Sequence, residues 1–266
     1  MTLFDRFAEE LRASRPVGLA TVVAGPHVGA KLLVFGDDHA EGTLGDDDLD
    51  RVVVRDTIAE LDAARSGVRH YGPHGEARQD EVTVFIETHA PPPRLLVFGA
   101  VDFTAALVRI GKVLGYHVTV CDAREVFATK QRFPFADEVV VDWPHRLLER
   151  VGPSLSPRDA VCVLTHDHKF DVPAISAALA TRVGYLGAMG SRRTTDERNK
   201  RLVDAGVAEA DLARVHAPIG LDIGARTPEE TAISICAEII ASRTGHRARP
   251  LGEVEGPIHG ARQGTR

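Results

Sequence analysis

Two kinds of apolar pattern run along the chain, and the change between them falls near residue 90. In the first part, Val17–Gly25 (VGLATVVAG) and Ala30–Gly36 (AKLLVFG) are short apolar runs separated by a Gly/Pro turn, which predicts two paired strands. The stretch Gly45–Gly67 (GDDDLDRVVVRDTIAELDAARSG) predicts a helix with acids in its first turn, as the macrodipole favours, and Gly67 as its stop. Glu81–Thr88 (EVTVFIET) predicts another strand. Together these make a small α+β module over residues 1–90, closed by the stiff triplet Pro91–Pro93, which neither continues a helix nor donates to a sheet.

Beyond the prolines, continuous apolar runs alternate with helical ones. RLLVFGA, HVTVCD, ADEVVVD, DAVCVLT and VGYLGA predict strands. DFTAALVRIGKVLG, DVPAISAALAT, TTDERNKRLVDAG and TPEETAISICAEIIASRTG predict helices. Strands that are apolar throughout are buried on both faces, so the expectation for residues 91–250 is an α/β domain: a Rossmann-like parallel sheet with helices on both faces. The start of the last helix is marked by Thr227 at N-cap, Pro228 at N1 and Glu230 at N3, a capping box. Residues 251–266 lack periodicity and read as a loose tail.

Charge and cysteine content narrow the class of protein. A net charge of −6 and a pI near 6.1 argue against nucleic acid or an anionic membrane as partner. No apolar run approaches the ~18 residues of a membrane span. The opening MTLFDRFAEELRASRP is amphipathic, unlike a signal peptide. Cys121, Cys162 and Cys236 lie inside apolar runs and form no C-x-x-C pair, so they read as buried thiols of a cytoplasmic protein.

In an open parallel sheet, ligands bind outside the carboxyl ends of the strands. The first such end is Gly99-Ala100-Val101-Asp102, a dinucleotide-type turn in which Val101 replaces the glycine that lets a pyrophosphate approach bare backbone. It reads either as a phosphate loop or as a plain strand-to-helix turn. Asp122, 23 residues after Gly99, is placed either to take a ribose diol or to cap the next turn. Further on, Thr165, His166, Asp167, His168, Lys169 and Asp171 crowd the loop after the fourth strand. Thr165, His166 and Asp167 are expected to hydrogen-bond a polar ligand; a metal site is a weaker alternative, and Asp171 alone is explained by helix capping.

The following strand leads into Gly187, Gly190, Ser191, Arg192 and Arg193. Glycines permit close approach, Ser191 caps, and two adjacent guanidiniums at a helix start match a phosphate. The competing explanation is a surface pair answered by Asp196 and Glu197. The last loop, His216–Glu230, carries Pro218, Gly220, Asp222, Gly224 and Arg226 and is expected to fold back over the crevice.

At LTHDHKFDVPAISAAL, YLGAMGSRRT and HAPIGLDIGARTPEETAISICAEII the sequence resembles the XdhC/CoxI family, accessory factors of xanthine dehydrogenase and related molybdenum hydroxylases. The resemblance covers most of the chain. It implies a protein that binds molybdenum cofactor (molybdopterin), promotes its sulfuration and delivers it to a molybdenum hydroxylase client, and that self-associates into a homo-oligomer. Carried over residue by residue, the motif residues are Thr165, His166, Asp167, Lys169, Gly187, Gly190, Ser191, Arg192, Arg193, Pro218, Gly220, Asp222 and Arg226, and all of these except Lys169 and Pro218, together with Gly99 and Asp122, are the expected cofactor-binding positions. Two departures stand out: the family's GAGH turn is Gly99-Ala100-Val101-Asp102 here, and its SGGC segment is Gly45-Asp46-Asp47-Asp48, with an aspartate in place of a soft thiolate. A cofactor chaperone rather than an enzyme is therefore the leading expectation. The alternatives are an NAD(P)-binding oxidoreductase using Gly99 and Asp122, and a ligand-free scaffold for the hydroxylase.

Overall fold

A computed structural model describes residues 2–36, 39–77, 79–165 and 167–255. The chain separates into two compact units, 1–92 and 93–266.

The first unit contains α1 (Leu3–Arg12), β1 (Val17–Ala24), β2 (Lys31–Phe35), β3 (Ala40–Thr43), α2 (Asp47–Asp62), β4 (Gly67–Tyr71) and β5 (Val82–His89). Its strands form one antiparallel sheet in the order β3-β2-β1-β5-β4. The helix α2 lays Leu49 and Val53 on Ala20, Val22, Val34, Val84 and Ile86. Asp46 caps it, accepting from the N–H groups of Asp48 at 3.1 Å and Leu49 at 3.0 Å. The strands β3 and β4 were not expected from the sequence; they are short edge strands whose exposed polar residues mask the apolar signal. The helix also ends earlier than expected, at Ala63 and Ala64 (φ 48°), which frees Gly67 to begin β4.

The second unit contains β6 (Arg94–Phe98), α3 (Asp102–Val113), β7 (His117–Cys121), β8 (Glu138–Val140), α4 (Pro144–Val151), β9 (Ala160–Val163), α5 (His168–Leu179), β10 (Tyr185–Ala188), α6 (Arg192–Asp204), α7 (Glu209–Leu212), β11 (Val215–His216) and α8 (Pro228–Thr244). All six strands are parallel, in the order β11-β10-β9-β6-β7-β8. The apolar continuity of β6 has a direct cause. Leu95 and Val97 enter one core with Leu107 of α3 and Ile235 of α8, while Leu96 and Phe98 enter the other with Ile175 of α5 and Leu202 of α6. Each such side chain contributes about 1.5–3 kcal/mol by leaving water. The capping box of α8 is present, with Glu230 N–H on Thr227 Oγ1 at 3.2 Å and Thr227 N–H on Glu230 Oε2 at 3.0 Å. Of the tail, residues 251–253 form a single 3-10 turn, and residues 256–266 lie outside the described residues. Among the described residues no helix is long and apolar enough to cross a membrane.

The first strand of this unit, β6, is central. The chain runs outward one way through β7 and β8, then returns to the other side of β6 to lay down β9, β10 and β11. The gap between the carboxyl ends of β6 and β9 is thus a topological switch point, where a crevice is forced open.

Candidate functional site

At the switch point lies a cavity of about 500 Å³ lined by Val101, Arg124, Thr165, Asp167, His168 and Phe170. The loops after β6, β7 and β9 supply Val101, Arg124, Thr165 and Asp167, and the first turn of α5 supplies His168 and Phe170.

The turn after β6 is closed on itself. Gly99 has φ 110°, a left-handed conformation that only glycine adopts freely, and a Cβ there would lie 2.7 Å from Thr165 Cγ2. Its N–H donates to Cys121 O at 2.9 Å, the Ala100 N–H to Asp122 Oδ2 at 2.8 Å, and the Val101 N–H to Thr104 Oγ1 at 3.3 Å. Thr104 Oγ1 in turn donates to Gly99 O at 2.5 Å. Three consecutive donors that could face a phosphate are all satisfied, the first two by the end of β7 and the third within the turn, and the Val101 side chain lines the cavity. Of the two readings of this motif, the geometry favours the plain turn.

Asp122 is buried (3% exposed) and fully engaged. Its Oδ1 accepts from the Arg124 N–H and Nε, each at 2.9 Å; its Oδ2 accepts from the Ala100 N–H and from Arg124 Nη2, each at 2.8 Å. Burial pushes this carboxyl upward, but the Arg124 fork and the two backbone donors outweigh it and hold it below the usual range. Four donors fill the four lone-pair sites of a carboxylate, so Asp122 has none left for a ribose diol. It builds the turn and presents Arg124.

Across the cavity, Thr165 Oγ1 donates to Asp171 Oδ1, and Asp171 Oδ2 lies 3.5 Å from Arg198 Nη2. Asp171 and Arg198 are each 3% exposed in their side chains. Arg198 Nη2 donates to Met189 O, tying the end of β10 into the same chain of contacts. Its Nη1 is buried with no partner among the described residues. Burial pushes the Asp171 carboxyl up to about 7, with the Arg198 charge opposing the rise only in part. Asp171 is not the cap of α5. That role falls to Asp167, whose Oδ1 accepts from the Lys169 N–H at 3.0 Å, so the helix is capped four residues earlier than an Asp171 cap would place it. His166 lies outside the described residues.

The glycine-arginine segment after β10 sits differently from its expectation. A Cβ on Gly187 would meet Ile219 Cδ1 at 2.5 Å, and one on Gly190 (φ 150°) would come within 3.0 Å of Arg198 Nη2. Both glycines therefore serve close internal packing. Ser191 caps α6 through the Thr194 N–H at 3.1 Å. Arg192 and Arg193, at N1 and N2, are exposed and outside the cavity lining; Arg193 is 89% exposed and donates from Nε to Glu197 Oε1 at 3.0 Å. The positively charged pocket expected from this pair is not formed by it.

The loop after β11 is tied down on α8 rather than lying among the cavity-lining residues. Glu238 Oε2 accepts from the Gly220 N–H at 2.7 Å and from Tyr185 Oη at 2.6 Å, and Ser234 Oγ donates to Leu221 O at 2.6 Å. Asp222 and Arg226 are exposed.

Comparison with known proteins places this geometry. A sequence profile of the XdhC Rossmann domain matches residues 95–239, and one of the XdhC and CoxI family matches residues 10–72. The chain belongs to the XdhC and CoxI family. It is 28% identical over 276 residues to the uncharacterized protein YqeB of Escherichia coli (strain K12), covering 97% of this chain and 49% of that protein. It is 34% identical over 165 residues to a probable xanthine dehydrogenase subunit of Bacillus subtilis (strain 168), covering 62% and 47%. It is 34% identical over 84 residues to the molybdenum cofactor insertion chaperone PaoD of E. coli (strain K12), covering 32% and 26%. The chain thus spans about half or less of the length of the curated relatives it matches. A crystal structure described as a xanthine dehydrogenase from Bacillus halodurans shares the fold, with TM-score 0.52 at 20% identity over 93% of this chain and 97% of that one.

Within this XdhC Rossmann domain, sequence reasoning missed Arg124 and Phe170 in the cavity wall and Arg198 beneath it. Arg124 follows Asp122 by two residues, the spacing of an Asx-type turn, and that was the available signal. Phe170 is stacked on Trp143, ring centroids 4.7 Å apart at 24°, a contact between segments remote in sequence. Arg198 lies in a run of polar helix residues with nothing to mark it as buried.

The donor set decides what part of a molybdenum cofactor these residues suit. Burial pushes the Cys121 and Cys236 thiols up to about 12 and that of Cys162 well above its usual value. No group of His, Cys, Asp and Glu among the described residues is spaced to hold a metal ion. The cavity offers hydroxyl, imidazole, guanidinium, the Asp167 carboxylate and an aromatic face instead, a set that suits hydrogen bonding and stacking of an organic ring.

Proposed function

We propose that this chain is an accessory protein that binds molybdenum cofactor and assists its insertion into a xanthine dehydrogenase-type molybdenum hydroxylase. The observation that carries the reading is the switch-point cavity itself, lined by both polar and apolar side chains, inside a domain of the XdhC family. Relatives named as part of a xanthine dehydrogenase and as a molybdenum cofactor insertion chaperone support it. The cofactor is cargo here. The six lining residues would bind its organic part, Thr165 and His168 by hydrogen bonding and Phe170 by ring contact, while the metal keeps its own sulfur ligands. A cytoplasmic location and self-association belong to the same reading.

The NAD-dependent form of the oxidoreductase alternative is disfavoured by two observations: the Gly99 turn, whose N–H groups are already satisfied, and the saturated Asp122 carboxylate. The test is reconstitution. Molybdopterin released from a molybdoenzyme should co-elute with this protein in gel filtration and activate an apo-hydroxylase faster than free molybdopterin does. Absence of both co-elution and faster activation would overturn the proposal.

A further inference from the structure

We propose that Arg124 makes the switch-point cavity selective for a flat heteroaromatic ligand bearing a phosphomonoester, and that it excludes ligands presenting an unsubstituted ribose diol at that position. The inference rests on the reading of this cavity as the ligand site.

The guanidinium has five N–H donors. Asp122 takes two of them, one from Nε and one from Nη2. The Nη1 group donates to nothing among the described residues, so the Nη1/Nη2 edge remains as a second fork, in the same cavity as the Asp167 carboxylate whose charge also acts on Arg124. Such a fork matches two oxygens of a phosphate. Its plane is held, because Asp122 grips one edge and the Phe127 ring lies 4.6 Å from Cζ. A cation that does not need to be ordered on binding loses little entropy when it captures an anion.

The same geometry rejects the usual Rossmann ligand at this strand end. A dinucleotide places its adenosine ribose against an acid after the second strand, and an arginine nearby serves a phosphorylated ribose instead. Here the acid is spent on Arg124. The pyrophosphate position is also poor, since the Gly99, Ala100 and Val101 N–H groups are satisfied internally. The anion is therefore moved from the glycine turn to the β7 end of the crevice. Phe170, backed by Trp143, lines the same cavity and offers a face for a ring. A ring and a phosphomonoester together describe the ligand class.

The experiment uses two matched probe pairs, with binding followed by calorimetry. One is the air-oxidised fluorescent pterin derived from molybdopterin, intact and after phosphatase treatment; the other is 5′-GMP and guanosine. Phosphate removal should weaken binding about tenfold to a hundredfold, the range of a charge-assisted pair of hydrogen bonds. Arg124→Ala should abolish that difference, with Arg124→Lys intermediate because it keeps the charge toward Asp122 but loses the fork. Arg193→Ala should leave it unchanged, and thermal melts confirm that each variant is folded. Equal binding of phosphorylated and dephosphorylated probes, or a difference that survives Arg124→Ala, overturns the inference while leaving the cofactor-carrier reading standing. Discrimination within the GMP pair with no pterin binding does the reverse. No binding of any probe overturns both.

Discussion

Gly99 and Thr165 meet across the gap between β6 and β9, with only 2.7 Å between Thr165 Cγ2 and the point where a Cβ on Gly99 would stand. This contact sets the width of the crevice at its base. Gly99→Ala would suffer both the clash and a left-handed φ of 110°, costing about 1–3 kcal/mol. Urea denaturation should show that loss, and Gly99→Ala/Thr165→Ser should recover the part due to the methyl group.

Asp171 links stability to pH. Its folded carboxyl is raised to about 7 from an unfolded value of 3.8. Between those values the native state holds a proton that the unfolded chain has released, so stability falls as pH rises through the window. Removing the group should remove the slope: Asp171→Asn should show a flatter melting temperature between about pH 4 and about pH 7 than the wild type. A parallel pair of curves would mean that the Arg198 charge keeps Asp171 ionised throughout.

Glu238 gathers the Gly220 N–H, the Tyr185 hydroxyl and, at 3.4 Å, His216 Nδ1. Glu238→Ala strands two of these donors in a half-buried setting, at a cost of about 2–4 kcal/mol. The released loop, residues 218–226, should also become the first site of limited proteolysis.

The helix start at α6 separates surface from structure. Arg193→Ala should change stability by less than about 0.5 kcal/mol, because its partner Glu197 is met in solvent. Ser191→Ala removes the cap on Thr194 and should cost about 1 kcal/mol. Comparing the two by denaturation tests whether this segment is built for folding.

The parallel sheet was legible because the central strands of the second unit are buried on both faces, and burial writes itself as unbroken apolar runs. Edge elements such as β3, β4 and β11 escaped because half of each faces water. The site was legible only in outline. Thr165 and Asp167 line the cavity, as the density of polar groups after β9 suggested. The arginines that drew attention by adjacency, Arg192 and Arg193, are solvated; Arg124, itself half-exposed, is held by Asp122 two residues before it, and Arg198 is enclosed through a tertiary contact with Asp171. Adjacency in sequence says little about which guanidinium is enclosed.

In the first unit, the aspartate standing where the family resemblance expects cysteine is lightly committed. Asp48 sits at the second position of α2, is mostly exposed, and its carboxylate engages Arg51 at 2.8 Å, while Asp46 does the capping. A sulfhydryl installed there would disturb little and would find its anion favoured by the helix end. One substitution at Asp48 would therefore place a thiol at an exposed helix start without a redesign of the surrounding module.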